Sequence, residues 1–458
     1  MSQVPPSEAP LKRSLLGTFI LPTLILGFMH GPEGQIQAIY AKHAGLALGA
    51  LALAMLLGKI LDAVTYPLIG YLSDRSYARR GTRMGWIIAG TVVSTVGVWF
   101  LLRPPSGVSV MYFGVWMTVT YIGWKLIEIP LQAWSYGLST DYAQQSRIQA
   151  WRVLSTLIGQ LLFFATPYLA VKLGYSDSTE LDFRSLGVAA VICVVLLPLA
   201  TLIAVARVPR GQVAPPAQAA AKRFNLGETW RAVRDNRPLI RLLAAFIPVN
   251  LLALMSSGVV YLFVDSYLGL SKQFPALMAI SLLTTVGGVP FWTAMAMRYE
   301  RHRVWAVSLL VGGAACVACA FLSPGPGALA MTFILFPILM FSLSGVVLVF
   351  SMCADIVDYG KLHNGEDLSG LYASLLFFLQ KSLGGLSTAA GIALVGAFGF
   401  EASAAVQSSS GVLGIKLASA VLPAIGLIGA AAVIWNYPLN RKQAAELRAA
   451  LRAQEAQA

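Results

Sequence analysis

Long apolar runs, broken at short intervals by Arg-, Gly- and Pro-bearing turns, set the rhythm of this chain. About 20 apolar residues suffice to cross a bilayer as a helix. Runs of that length fall at 14–32, 47–71, 85–103, 110–137, 150–173, 185–207, 239–263, 273–298, 303–322, 328–353, 369–398 and 411–436. These predict twelve helical spans. Most connections are short, but 208–238 is Pro/Ala-rich (VAPPAQAAAKRF) and then basic and amphipathic (NLGETWRAVRDNRP). It divides the spans six and six: a first bundle at 1–207, a middle loop at 208–238, a second bundle at 239–436 and a tail at 437–458.

Charge sets the orientation. Arg75, Arg79, Arg80 and Arg83, the arginines of 207–237, and Arg298, Arg301 and Arg303 fall in one set of loops. The alternate loops carry single cations such as Lys42, Arg103, Lys272 and Lys416. The excess of Lys and Arg marks the cytoplasmic side, so both termini and the middle loop are expected there, in a plasma (inner) membrane. The basic tail (RKQAAELRAALRAQ) is expected in water or on anionic headgroups.

Composition narrows the class. The chain is 57% hydrophobic and 12% charged, against about a quarter charged in soluble domains. So few charges cannot clothe a water-facing surface, and most of it must meet lipid. The net charge of +13 is spread over many loops, which argues for topology and against nucleic-acid binding. Cys193, Cys316, Cys319 and Cys353 all sit in apolar segments. The CxxC at 316–319 has no second pair or histidine nearby and reads as packing. No metal-ligand cluster, nucleophile motif, phosphate loop or appended domain supports a membrane enzyme or sensor, and no cofactor is expected.

The candidate chemistry lies in charges placed inside spans, each costing at least about 2.5–3.5 kcal/mol on insertion scales. Lys59 and Asp62 lie in the second span, Lys125 and Glu128 in the fourth, Arg152 in the fifth and Lys381 in the eleventh. Each pair is spaced i,i+3 and shares a helix face. Two readings fit the pairs, self-satisfied staples or a hydrated pocket. The pocket also accommodates Arg152 and Lys381, which have no acid at helical spacing. Trp124 and Trp134 flank the Lys125–Glu128 pair and are candidates to stack on a ligand. His30 and Glu33 read as solvated ends of the first span, Asp265 as the water-facing end of the seventh, and Asp355 and Asp358 as groups at the cytoplasmic end of the tenth.

GYLSDRSYARRGTR (70–83) resembles the loop signature of the major facilitator superfamily. KILDAVTYPLIGYLSD (59–74) resembles the second-span motif of its glycoside–pentoside–hexuronide:cation symporters. IEIPLQAWSYGLSTD (127–141), the Arg152 region, ADIVDYG (354–360) and Lys381 extend the likeness over both halves. The resemblance implies an all-α membrane protein with twelve transmembrane helices in two six-helix bundles, a monomer working by alternating access on a small-molecule substrate. It places Lys59 at a basic position, Asp62 at a cation-coordinating acid, Glu128 at an acid that bonds sugar hydroxyls, and Arg152 and Lys381 at cavity-lining cations. Asp74, Arg75, Arg79 and Arg83, with Asp355 and Asp358, fall at gate positions.

The chain departs from that pattern in one telling way. Tyr66 stands where the family has the second acid of its sodium site, and Lys125 where a small hydroxyl residue is common. One carboxylate beside an ammonium is a poor sodium site, because a hard cation needs several oxygen ligands and offsetting charge. An Asp–Lys pair can still exchange a proton. Proton coupling through Asp62 and Lys125, or no coupling, is therefore favoured over sodium. The excess of cations favours an anionic or sugar-acid-like solute. A lysolipid carrier and an uncoupled uniporter stand as alternatives.

Overall fold

The computed structural model describes residues 13–139, 142–209, 234, 236–364, 369–404 and 406–457. Asp141 and most of the 208–238 loop therefore fall outside the described residues, as does the side chain of Asp62. Two compact units divide the chain, Met1–Lys222 and Arg223–Ala458.

The first unit runs α1 (Arg13–His30), α2 (Ile36–Ala44), α3 (Leu48–Arg80), α4 (Met84–Leu102), α5 (Val110–Tyr136), α6 (Tyr142–Phe164), α7 (Thr166–Lys172) and α8 (Phe183–Arg207). The second runs α9 (Arg237–Pro248), α10 (Met255–Tyr261), α11 (Phe274–Arg298), α12 (Arg301–Ala320), α13 (Ala328–Leu343), α14 (Val347–Asn364), α15 (Ser369–Ala397), α16 (Ser409–Lys416), α17 (Leu422–Trp435) and α18 (Arg441–Gln457). Helices dominate because hydrocarbon offers the backbone no partner, so each span must satisfy its own N–H and C=O groups. Polar caps close several ends. Ser109 accepts the Tyr112 N–H at 3.2 Å, and Asp182 forms a capping box with Ser185.

Among the described residues nine helical stretches are long and apolar enough to cross a membrane. The α6–α7 pair, bent by 42° at its break, makes a tenth. The helices α3 and α5 are long enough at 33 and 27 residues, but their buried-span charges and polar aromatics lower their hydropathy. With these two included, the spans number six in each unit, matching the apolar runs.

The first unit packs small residues inward and large ones outward. On α8, Ala189, Ala190, Cys193, Leu197, Ala200 and Ala204 are buried, while Val195, Leu199 and Leu202 are half exposed or more. That inversion is the mark of a lipid-facing helix, whose association rests on close backbone approach. The α1–α6 seam is the tightest case. A Cβ at Gly27 would run into the Thr156 backbone, and one at Gly159 into the Leu24 carbonyl.

In the second unit the seventh span is not a continuous α-helix. Wide π-turns occupy Val249–Ala253 and Leu262–Tyr267, and a third precedes α17 at Leu417–Val421. Asp265 sits in the second of these and is 4% exposed, not the water-facing end its sequence position suggested. Within that turn its carboxylate accepts from the Ser266 hydroxyl at 3.1 Å. The tail helix α18 is also not loose. Leu447 and Leu451 are buried, and Arg448 reaches Asp355 at 2.5 Å and Asp358 at 3.2 Å. An apolar stripe beside an arginine fork docks it on its own unit.

Candidate functional site

The α3, α5 and α6 helices bring Lys125, Tyr66, Glu128 and Arg152 into one neighbourhood of the first unit. Lys125, near the middle of α5, donates to Thr65 Oγ1 on α3 at 3.3 Å. Thr65 follows Asp62 by three residues, so the ammonium arrives at the helical turn where the second-span acid is placed by sequence. Tyr66, next to Thr65, is 41% exposed.

About two turns further along α5 lies a second polar layer. Arg152 on α6 is 7% exposed, and its guanidinium donates to Gln132, to Gln149 at 3.3 Å and to Ser135 at 3.4 Å. Gln149 in turn donates to Ser135 Oγ at 3.0 Å. Glu128, Tyr136 and Tyr66 lie within electrostatic reach of the guanidinium. The Nε–H of Arg152 is buried without a partner. Amides thus hold the fork in place, while one donor of the fork is left unused. This accounts for Arg152 having no acid on its own helix. Gln132 and Gln149 were invisible as partners because isolated glutamines carry no sequence signal.

Lys59 belongs to a different cluster. Its Nζ lies 3.6 Å from Glu33 Oε1 and 5.4 Å over the Tyr121 ring. Glu33 Oε2 also meets His30 Nδ1 at 3.2 Å, and the His30 ring lies edge-on against Trp124. Trp124 is 5% exposed and its indole N–H has no partner. His30 and Glu33 are therefore not simple solvated ends. The turn between α1 and the short helix α2 folds them back onto α3 and α5. Burial acts to raise the Glu33 carboxyl, but the His30 hydrogen bond and the charges of His30 and Lys59 outweigh it, leaving the group lowered to about 2.

Trp134 sits apart from these groups. Its indole donates to the Pro209 carbonyl at 2.8 Å and packs edge-to-face on Phe19. Of the gate residues, Arg83 pairs with Asp74 at 2.9 Å and stacks 3.9 Å over Tyr77. Arg75 donates to Tyr71 at 3.4 Å, and Arg79 is exposed. In the second unit Asp355 accepts from both Arg301, at 2.9 Å, and Arg448. A cavity of about 460 Å³ opens beside that pair, lined by His302, Tyr437 and Arg441 among others. Lys381 is exposed on α15. Among the described residues no group of three or more His, Cys, Asp or Glu side chains could hold a metal, and the four cysteines are buried thiols.

Long apolar helices in two units, with a handful of charges held inside them, define a multi-pass membrane transporter. The chain belongs to the MFS/sugar transport protein family, whose model matches residues 7–441. It is 24% identical to the uncharacterized symporter sll1374 of Synechocystis, over 90% of this chain and 91% of that one. It is 25% identical to the inner membrane symporter YicJ of Escherichia coli, over 87% and 85%. The sodium-dependent lysophosphatidylcholine symporter 1-A of Danio rerio is 21% identical over 85% and 78%. The fold is shared with the nucleoside transporter NupG, at a TM-score of 0.68 and 11% identity over 93% of this chain and all of that one. The protein is a membrane transporter of that family and not an enzyme.

Proposed function

We propose that the protein is a proton-coupled symporter of a small anionic solute of the sugar-acid class, working by alternating access from a plasma (inner) membrane with both termini cytoplasmic. The observation that carries this reading is the Lys125 ammonium at Thr65. A positive charge is built into the turn where a sodium ion would need oxygen ligands. By its sequence position one turn before Thr65, Asp62 is assigned as the acid that exchanges the coupling proton with Lys125. Arg152 offers a preoriented fork with a spare donor, suited to a carboxylate. Glu128, Lys59 and Trp124 are assigned to the substrate by their sequence positions, although Lys59 and Trp124 pack with Glu33 and His30 and not with Arg152, and Trp134 braces the end of α5. Lys381 is assigned to the substrate by its sequence position. Asp74, Arg75, Arg79, Arg83, Asp355 and Asp358 are assigned to the gate.

A lysolipid carrier is the second reading. It is favoured by the kinship with a lysophosphatidylcholine symporter and by an α1 with no ionisable residue between Arg13 and His30. One experiment separates the two: thermal unfolding of the purified protein against sugars, uronates, organic acids and lysolipids, with and without sodium. A ligand that binds only the folded state raises apparent stability by mass action. Stabilisation by a uronate, indifferent to sodium, supports the proposal. Stabilisation that grows with acyl length replaces the substrate, and sodium dependence overturns the coupling.

A further inference from the structure

The cluster at the end of α1 has a chemistry that the α3–α5–α6 site does not use. One carboxylate, Glu33, is shared by two basic groups of different kinds, His30 at 3.2 Å and Lys59 at 3.6 Å. Lysine stays charged across the physiological range. Imidazole is the side chain whose ordinary titration falls between pH 5 and 8. The three side chains are 26%, 38% and 28% exposed for His30, Glu33 and Lys59, so water reaches them, yet they are shielded enough for their charges to interact. We propose that His30 is a proton-binding site of the transport cycle, in a triad with Glu33 and Lys59 whose net charge goes from neutral to +1 when the imidazole is protonated.

The surroundings bear on that titration from each packed element. The α1–α2 turn supplies Glu33, α3 supplies Lys59, and α5 supplies Tyr121 and the uncharged Trp124. From α6 comes Phe163, which packs at Gly31 and carries no charge. The charged groups at the other end of α2, Lys42 and His43, face Glu180 instead. Proton uptake at His30 strengthens its bond to Glu33 and weakens the hold of Glu33 on Lys59. The added charge matches that of a monoanionic solute. Proton and anion would thus be taken up together by electrostatics alone. This inference rests on the proton-coupled reading above and adds a second protonatable group to it.

The test reads the triad directly. A protonated imidazole quenches a neighbouring indole, so the fluorescence of Trp124, taken as wild type minus Trp124→Phe, should show an inflection with pH. His30→Gln should abolish the inflection. Glu33→Gln should lower the midpoint, because the imidazolium loses its counter-charge, and Lys59→Gln should raise it, because a like charge is removed. No inflection in the wild type, an inflection that survives His30→Gln, or a reversed sign in either neighbour variant overturns the site. In proteoliposomes loaded at pH 7.5 and diluted to about pH 6, D-glucuronate accumulation by the wild type should be lost in His30→Gln. Equal accumulation in the variant overturns the coupling role. If the wild type itself takes up no glucuronate, the substrate reading falls, and the fluorescence titration still decides the proton site.

Discussion

The most exacting consequence of the Lys125 geometry is that sodium sensitivity can be installed by two substitutions, Lys125→Thr and Tyr66→Asp. The ammonium lies 3.3 Å from Thr65 Oγ1. A sodium ion bonded to that hydroxyl at about 2.4 Å would sit no more than about 5.7 Å from the ammonium. At an effective dielectric constant of about 20, two unit charges at that separation repel by about 3 kcal/mol. That is a penalty of at least about a hundredfold in affinity. Lys125→Thr removes it and adds an oxygen. Tyr66→Asp adds a carboxylate four residues from Asp62, on the same helix face. Tyr66 is 41% exposed, so its replacement leaves no buried cavity. If the double variant binds sodium with Kd of about 1–10 mM, 100 mM NaCl should stabilise it by about 1.4–2.7 kcal/mol. Thermal unfolding in detergent, with choline chloride as the ionic-strength control, measures this. Asp62→Asn added to the double variant should abolish the gain. Sodium stabilisation of the wild type, or a double variant indifferent to sodium, refutes the reasoning.

Three further outcomes are expected. Arg152→Lys keeps the charge but not the fork that bonds Gln132, Gln149 and Ser135. It should cost about 1–2 kcal/mol of stability and more than tenfold in uptake of an anionic substrate, measured by unfolding and by proteoliposome transport. Gly159→Ala drives a methyl into the α1 backbone and should destabilise by about 1–3 kcal/mol, while an alanine at Gly17, which faces open space, should be neutral in the same melt. Glu180 is lowered to about 2, chiefly by its hydrogen bond with His43 and then by Lys42, against the opposing effect of burial. A depressed carboxyl contributes stability above its unfolded value, so Glu180→Gln should be less stable than the wild type at pH 7. The gap should close as pH falls from about 4.5 towards 2, as followed by melts across that range.

How far the sequence reveals this molecule depends on the kind of signal. Spans were legible because twenty-odd apolar residues have one use, and the in-span charges were legible because each is costly. The resemblance assigned positions to Arg152 and Lys125 but named none of their partners. Thr65, Gln132 and Gln149 are ordinary residues until a helix from elsewhere in the chain arrives beside them. The α1–α2 turn was misread for a related reason. Ile36–Ala44 is too short to announce a helix, and only that helix folds His30 and Glu33 onto Lys59. The π-turns around Asp265 were equally silent, since one extra residue in a helical turn leaves no compositional trace.

The docked tail has a practical corollary. Arg448 is a trypsin site whose guanidinium is engaged by two carboxylates one helical turn apart. Proteolysis at that bond requires the tail to lift, so the cleavage rate reports how often the last helix detaches. Ligands or lipids that loosen the second unit's basic-loop end would register as faster trimming, readable on a gel without knowledge of the cargo.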